Sequence, residues 1–197
     1  SLPNLDFVMS MYLPSDVPED QYERHQMAVM LRESSKPIIF VGLQETSTIW
    51  AIKMAAVVAG GIEQLKKRPF IVNYVNTVSA FQHNRSSVAR MLYAAERNIP
   101  TIYAPGKHRG MTSPITQAGA LALGSAGQLA GLVLSQLKRE GSPFIISNPG
   151  HGTLDMRTML GLYNAPDDGP FGWDIARQYR LPSFAVAGAS DAKVLDS

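Results

Sequence analysis

The sequence predicts a parallel α/β fold, and three observations carry that expectation. A proline followed by a short apolar run recurs at Pro37 ("SKPIIFVGL"), Pro69 ("KRPFIVNYVN"), Pro100 ("NIPTIYAPG"), Pro143 ("GSPFIISNPG") and Pro182 ("LPSFAVAGAS"), at intervals of about 31 to 43 residues, the length of a βα unit. Helical patterns fill the intervals. The apolar runs show no clean alternation, as expected for strands buried on both faces of a parallel sheet.

Each element follows in order. The first strand is expected at "LDFVMSM" from Leu5, where no proline leads. Each later strand starts at its proline, because a residue without an N–H is tolerated at a strand's first position and also stops the preceding helix. Helices are expected at "EDQYERHQMAVMLRESS", "STIWAIKMAAVVAGG", "RSSVARMLYAAERN", the long stretch ending "LVLSQLK", and "GWDIARQYR". Arg97, Lys138, Arg139 and Arg180 stand where a positive charge favours a helix carboxyl end.

Six βα units fit two architectures, an open doubly wound sheet or part of a β/α barrel that needs eight strands. Length alone favours the open sheet. No G-x-G-x-x-G follows the first strand and no G-x-x-x-x-G-K-[ST] is present, so a nucleotide-binding sheet has no support.

Composition narrows the function classes. The 197 residues include no Cys, which excludes disulfides, thiolate chemistry and Cys-type zinc sites within them. A net charge of +2 from 18 basic and 16 acidic residues, with no dense basic tract beyond "LKKRP", does not point to nucleic acid. "SLPNLDFVMS" has neither the basic nor the long apolar region of a signal peptide, and a cytoplasmic location is expected. The run "GMTSPITQAGALALGSAGQLAGLVLSQL" approaches the length of a membrane span, but Thr116, Gln117, Ser125, Gln128, Ser135 and Gln136 interrupt it. Gly119, Ala122, Ala126, Gly127, Ala130 and Gly131 recur at helical spacing, so a stripe of small residues pressed against the barrel wall or a neighbouring helix is expected.

In either architecture, function belongs at the carboxyl ends of the strands. Those loops hold His83, His108, His151, Asp155 and Asp191, and "NPGHGT" has the composition of an anion-binding glycine turn. One reading is a metal-dependent β/α-barrel hydrolase using His83, His108, His151 and Asp191, although no H-x-H or H-E-x-x-H spacing is present. Tyr12, Tyr74, Tyr103, Phe81, Phe171 and Trp173 lie on or near strand ends and are candidates for an aromatic cation site. No G-x-S-x-G or obvious acid/base pair stands out.

The segment "GMTSPITQAGALALGSAGQLAGLVLSQLKREGSPFI", Gly110 to Ile145, resembles the trimethylamine methyltransferase family, with its G-x-T-x-P-x-T followed by A-G-A-L and L-A-G-x-V-L-x-Q-L. "LDFVMSMYLPSDVP", "KPIIFVG", "AAVVAGGIEQLKKRPF", "LDMRTMLGLYNAP" and "ASDAKVLD" extend the colinear resemblance from Leu5 to Asp196. Two regions depart from it: "NTVSAFQHN" differs from the family's S-P-L-x-H, and the "NPGHGT" region is variable.

The resemblance implies a partial TIM (β/α)8 barrel of about six βα units, residues 1–197 forming a single incomplete barrel from a longer chain and inactive alone. It implies a methyltransferase that moves a methyl group from trimethylamine, or from a quaternary amine such as glycine betaine, to the cobalt of a corrinoid (cobalamin) carried by a partner protein. That chemistry belongs to one-carbon metabolism, including methanogenesis. No cofactor is then bound directly and no metal is held. The family's pyrrolysine position would fall beyond Ser197; without pyrrolysine, glycine betaine is favoured. Strand-end position makes Asn76, Ser79, Tyr103, Met111, Thr112, Asn148, His151, Asp155 and Asp191 the expected substrate contacts. Thr112 and the amides opening the following helix would meet a polar group, Tyr103 a cation, and Asp155 and Asp191 a charge. Unpaired barrel edges also lead to an expected homo-oligomer. A third reading is a non-catalytic binder of betaine-like solutes.

Overall fold

The computed structural model describes residues 3–9, 13–106, 108–147, 152–161 and 168–185. In chain order these form β1 (Val8–Met9), a 3-10 turn (Glu19–Gln21), α1 (Tyr22–Glu33), β2 (Ile38–Val41), α2 (Glu45–Val58), α3 (Ile62–Lys67), β3 (Ile71–Thr77) and α4 (Arg85–Glu96). There follow β4 (Thr101–Pro105), α5 (Gln117–Lys138), β5 (Phe144–Ser147), β6 (Leu154–Asp155), β7 (Leu160–Gly161), α6 (Asp168–Gln178) and β8 (Ser183–Phe184).

Six parallel strands form one sheet in the order β1-β2-β3-β4-β5-β8, so the order in space is the order in sequence. A doubly wound sheet would reverse direction at a switch point; a β/α barrel does not. The topology is that of a partial (β/α)8 barrel, as the resemblance implied and against the preference drawn from length. The small antiparallel pair β6–β7 lies outside this sheet.

The strand-leading prolines explain the register. Pro37, Pro100, Pro143 and Pro182 lack a donor, but each carbonyl accepts a ladder bond from the preceding strand: Val8 N–H to Pro37 O (2.9 Å), Asn73 to Pro100 (2.8 Å), Thr101 to Pro143 (3.2 Å) and Ile146 to Pro182 (2.9 Å). At the remaining step, Ile38 N–H donates instead to Phe70, one residue after Pro69. Pro37, Pro100, Pro143 and Pro182 thus stand where an acceptor is needed and a donor is not.

The chain divides into two compact units. The first comprises Ser1–Val75, Asn84–Ile102 and Val133–Phe144. Its core joins Met27 of α1, Ile38 and Phe40 of β2, Ala51, Ile52 and Ala55 of α2, Leu65 of α3, Ile71 of β3, and Ala94 with Ile99 around the end of α4. Burying each large apolar side chain contributes about 1.5–3 kcal/mol. One polar group runs through it. Arg90, buried on α4, donates to Gly42 O and, at 3.2 Å, to Ser87 Oγ. Asn73 Nδ2 donates to Arg90 O (3.4 Å), and Thr48 Oγ1 donates to Asn73 Oδ1 (3.3 Å). Burial pulls the Arg90 pKa below the ordinary arginine value, opposed by the Glu23 carboxylate. Glu23 in turn accepts hydrogen bonds from Leu43 N–H and Ser47 Oγ.

The second unit comprises Asn76–His83, Tyr103–Leu132 and Ile145–Ser197. Within it the middle of α5 packs closely on the loop after β3. A Cβ on Gly127 would lie 2.7 Å from Ala80 O and 3.0 Å from Ala80 Cα, and one on Gly131 would overlap the ring of Tyr103. Glycine at these two positions brings the helix backbone into contact with the loop and with the β4 ring.

The expected small-residue stripe on α5 is therefore corrected. Gly124, Gly127, Gln128, Gly131 and Ser135 are buried, whereas Ala122, Ala126 and Ala130 are exposed. Adjacent residues on a helix diverge by about 100°, so Gly127 and Gly131 turn inward while Ala126 and Ala130 turn out. Gln128 is fully buried and satisfied in part by Ser147 at the end of β5: Nε2 donates to Ser147 O (2.6 Å) and Oγ (2.7 Å). Among the described residues α5 is the one helix long and apolar enough to cross a membrane by length and composition.

Candidate functional site

Most of the strand-end residues expected from the sequence lie in the second unit, which contains the carboxyl ends of β3, β4 and β5. The ends of β3 and β4 meet closely: a Cβ on Gly106 would stand 3.5 Å from Thr77 O and 3.7 Å from Val78 O. The loop after β3 is internally ordered. Thr77 Oγ1 donates to Ser79 O (2.8 Å), and Ser79 and Gln82 exchange backbone hydrogen bonds at 3.4 Å. Asn76 is exposed at the end of β3, and Ser79 is half-buried on this loop.

The loop delivers His83 to Tyr103. His83 Nδ1 lies 2.5 Å from Tyr103 Oη, and the two rings are parallel within 1° with centroids 5.8 Å apart. Tyr103 is completely buried on β4, and burial pushes its pKa up to about 12. Which of the two donates in this hydrogen bond follows the imidazole tautomer. His83 is half-buried and has no other hydrogen-bond partner among the described residues. Tyr103 was expected to offer its ring to a cation; Gly131 lies against that ring instead, and its hydroxyl is engaged by His83. Sequence reasoning named His83 for a metal and did not pair it with Tyr103.

Met111 and Thr112 are exposed in a turn that closes on His108. His108 O accepts the N–H groups of Met111 (3.2 Å), Thr112 (3.0 Å) and Ser113 (3.1 Å), and Thr112 Oγ1 accepts His108 N–H (2.8 Å). Gly110, at φ +79°, supplies the left-handed residue this turn requires. Helix α5 begins at Gln117, so its first amides do not directly follow Thr112. Arg109 forms isolated backbone bridges to Ser113 and to Thr153.

Asp155, on β6, engages its own turn. Its Oδ1 accepts Arg157 N–H (2.9 Å) and Nε (3.4 Å), and this neighbour holds its carboxyl below the usual aspartate range. Met159, at φ 59°, donates back to Asp155 O (2.7 Å). Among the aromatic candidates, Phe81 stands 77% exposed on the β3 loop, Tyr74 is half-buried in β3, and Trp173 is exposed on α6. Asn148, His151, Asp191, Tyr12 and the side chain of Phe171 lie outside the described residues. Among the described residues no three His, Asp or Glu side chains cluster as a metal site would require.

The comparisons with known proteins agree with the topology. The family model for trimethylamine methyltransferase matches residues 1–197. A trimethylamine methyltransferase from Desulfitobacterium hafniense (strain DSM 10664 / DCB-2) is 28% identical over all of this chain and 40% of its own length. A glycine betaine methyltransferase from D. hafniense (strain Y51) is 25% identical over 95% of this chain and 40% of its own. A trimethylamine methyltransferase from Methanosarcina thermophila is 28% identical over 75% of this chain and 31% of its own. The chain thus spans about 40% of the length of the first two relatives. On the strength of the full-length match, the chain belongs to the trimethylamine methyltransferase family.

Proposed function

We propose that this chain is the barrel segment of a longer amine methyltransferase, which takes a methyl group from a methylated amine and passes it to a corrinoid carried by a partner protein. The observation that carries the reading is the family match over residues 1–197, joined to a strand order that runs as a β/α barrel runs. When bound by the partner, the corrinoid would supply the cobalt nucleophile for the methyl carbon. When the donor is a quaternary ammonium, the departing amine is neutral and needs no proton, so the protein's work is binding and orientation.

The loop after β3 presents Phe81 as an exposed aromatic face and a half-buried His83 hydrogen-bonded to Tyr103. Phe81 would meet the ammonium end of the substrate by cation–π attraction. Exposed Asn76 at the end of β3 and half-buried Ser79 on the loop add polar groups. The reading also includes a homo-oligomeric assembly that covers the open edges of the sheet.

The experiment is to incubate the full-length protein and its reduced corrinoid partner with a panel of methylated amines, and to follow the amines by mass spectrometry. Loss of one methyl from one member, dependent on the partner, is expected; no demethylation across the panel overturns the reading.

A further inference from the structure

Resting on the reading of this chain as part of a longer protein, we propose that the outer groove between α1 and α2 seats an amphipathic helix from the part of that protein outside residues 1–197. Helix α2 is apolar on more than one face. Of its residues only Glu45 and Lys53 are charged. One face enters the core through Ala51, Ile52 and Ala55. A second stripe, Trp50, Met54, Val57 and Val58, recurs at i, i+4, i+7 and i+8. Arg24 and Lys53 lie over the Trp50 ring, 5.6 and 4.9 Å from its centroid. Nothing comparable covers the valines: Val57 is 82% and Val58 58% exposed. Lys, Glu and Arg are better helix formers than valine and suit a solvated face, so neither propensity nor solvation accounts for two adjacent valines there. The helix end does not need them either. Gly60 N–H donates to Val57 O (3.2 Å) and Gly61 N–H to Ala56 O (2.7 Å), a glycine cap made by backbone alone.

Helix α1 completes the groove, all of it within the first unit. Ala28, Leu31 and Arg32 line it together with Met54, Val57 and Val58, around a trough of about 360 Å³. Leu31 and Val58 carry it on into a second trough of about 210 Å³ that ends beside Lys36 and Phe70. The shape selects the occupant. A second copy docking this same surface about a two-fold axis would set trough against trough and leave a void. A transient partner calls for a more polar surface, whereas this one is apolar along its floor and charged only at Arg32 and Lys36, the composition of a permanent contact. A permanent occupant is available in the longer chain. The alignment with the D. hafniense trimethylamine methyltransferase covers 40% of that relative, so more than half of such a protein lies elsewhere. The groove fits a helix that presents apolar residues at i, i+3 or i+4 and i+7, with acidic residues beside them to meet Arg32 and Lys36.

The test places a photoreactive benzoylphenylalanine at position 57 of the full-length protein, in place of exposed Val57, and mixes isotope-labelled with unlabelled copies before irradiation. Mass spectrometry then identifies the captured peptide. Capture within one polypeptide, at residues outside 1–197, is expected. Capture of a second copy, capture confined to residues 1–197, or no capture overturns the proposal. Val57→Lys gives an independent readout by sign. On an open helix surface lysine is the better helix former and its charge suits the carboxyl end, so the thermal midpoint would hold or rise. Under a docked helix the same charge is buried, and the midpoint of the full-length protein should fall by several degrees. An unchanged or raised midpoint overturns the proposal. Methyl transfer is read separately on the unmodified protein. Capture outside residues 1–197 without methyl transfer supports the docked helix and overturns the enzyme reading, whereas methyl transfer with capture of a second copy does the reverse.

Discussion

Gly131 of α5 lies directly against the ring of Tyr103, so closely that a Cβ on Gly131 would overlap Cδ1 and Cε1 of that ring. Propensity and packing predict opposite signs for Gly131→Ala. Alanine in a helix interior is favoured over glycine by about 1 kcal/mol. The added methyl group, however, meets a fully buried ring tethered by His83, and overpacking of this kind costs about 1–3 kcal/mol. The substitution is expected to lower the thermal midpoint of the full-length protein; an unchanged or raised midpoint would show that β4 and α5 are not in this contact.

Gly127 tests the neighbouring contact, which involves backbone. A Cβ there would stand 2.7 Å from Ala80 O, in the loop that carries His83. Backbone yields less readily than the end of a side chain, so Gly127→Ala should displace the loop as well as destabilise the fold. Slower methyl transfer by the full-length protein together with a lower melting point is the expected pair of results. By contrast, Ala126→Gly alters an exposed position of the same helix and should cost about 1 kcal/mol through propensity, with methyl transfer retained.

Gln128→Leu probes the polar anchor between α5 and β5. Leucine keeps the volume but leaves Ser147 O and Oγ without the donor that Nε2 provides at 2.6 and 2.7 Å. Stranding buried acceptors costs about 1–3 kcal/mol, which differential scanning calorimetry would register as a lower midpoint. Gln128→Leu combined with Ser147→Ala should recover part of the loss.

These contacts show where the sequence was readable. The prolines were, because a residue without an N–H has few places in a ladder, and β2, β4, β5 and β8 begin immediately after Pro37, Pro100, Pro143 and Pro182. Helix α5 was visible as an element, but its inward face was not: small size at Gly127 and Ala126 is the same signal, and burial separates the two. The short helix α3 and the β6–β7 pair have too few residues for periodicity to reveal them. The pairing of His83 with Tyr103 was not legible either. A residue on the loop after β3 and one 20 residues on, in β4, meet only through the register of the two strands, which no local pattern reports.

Alkaline stability offers a check on Tyr103. Its pKa in the fold is about 12, above the ordinary value of 10.0, because burial disfavours the phenolate. The folded state keeps a proton that the unfolded chain has released. The stability this contributes is complete below pH 10 and is lost as the pH rises toward 12. Between those limits the wild-type midpoint should fall more steeply than that of Tyr103→Phe. Tyr74, whose pKa burial also raises, is present in both proteins and cancels in the comparison. Parallel curves would mean that the Tyr103 hydroxyl is solvated.

The central claim is methyl transfer from an amine to a partner-held corrinoid, and following an isotope-labelled methyl group tests it most directly. Labelled glycine betaine is mixed with the full-length protein and its reduced corrinoid partner, with metal chelator present. The account predicts label on the corrinoid cobalt, one demethylated amine released per methyl transferred, and no reaction when the partner is left out. Turnover without the corrinoid partner, or turnover abolished by the chelator and restored by zinc, would contradict it and favour a metal-dependent hydrolase built on the same strand ends.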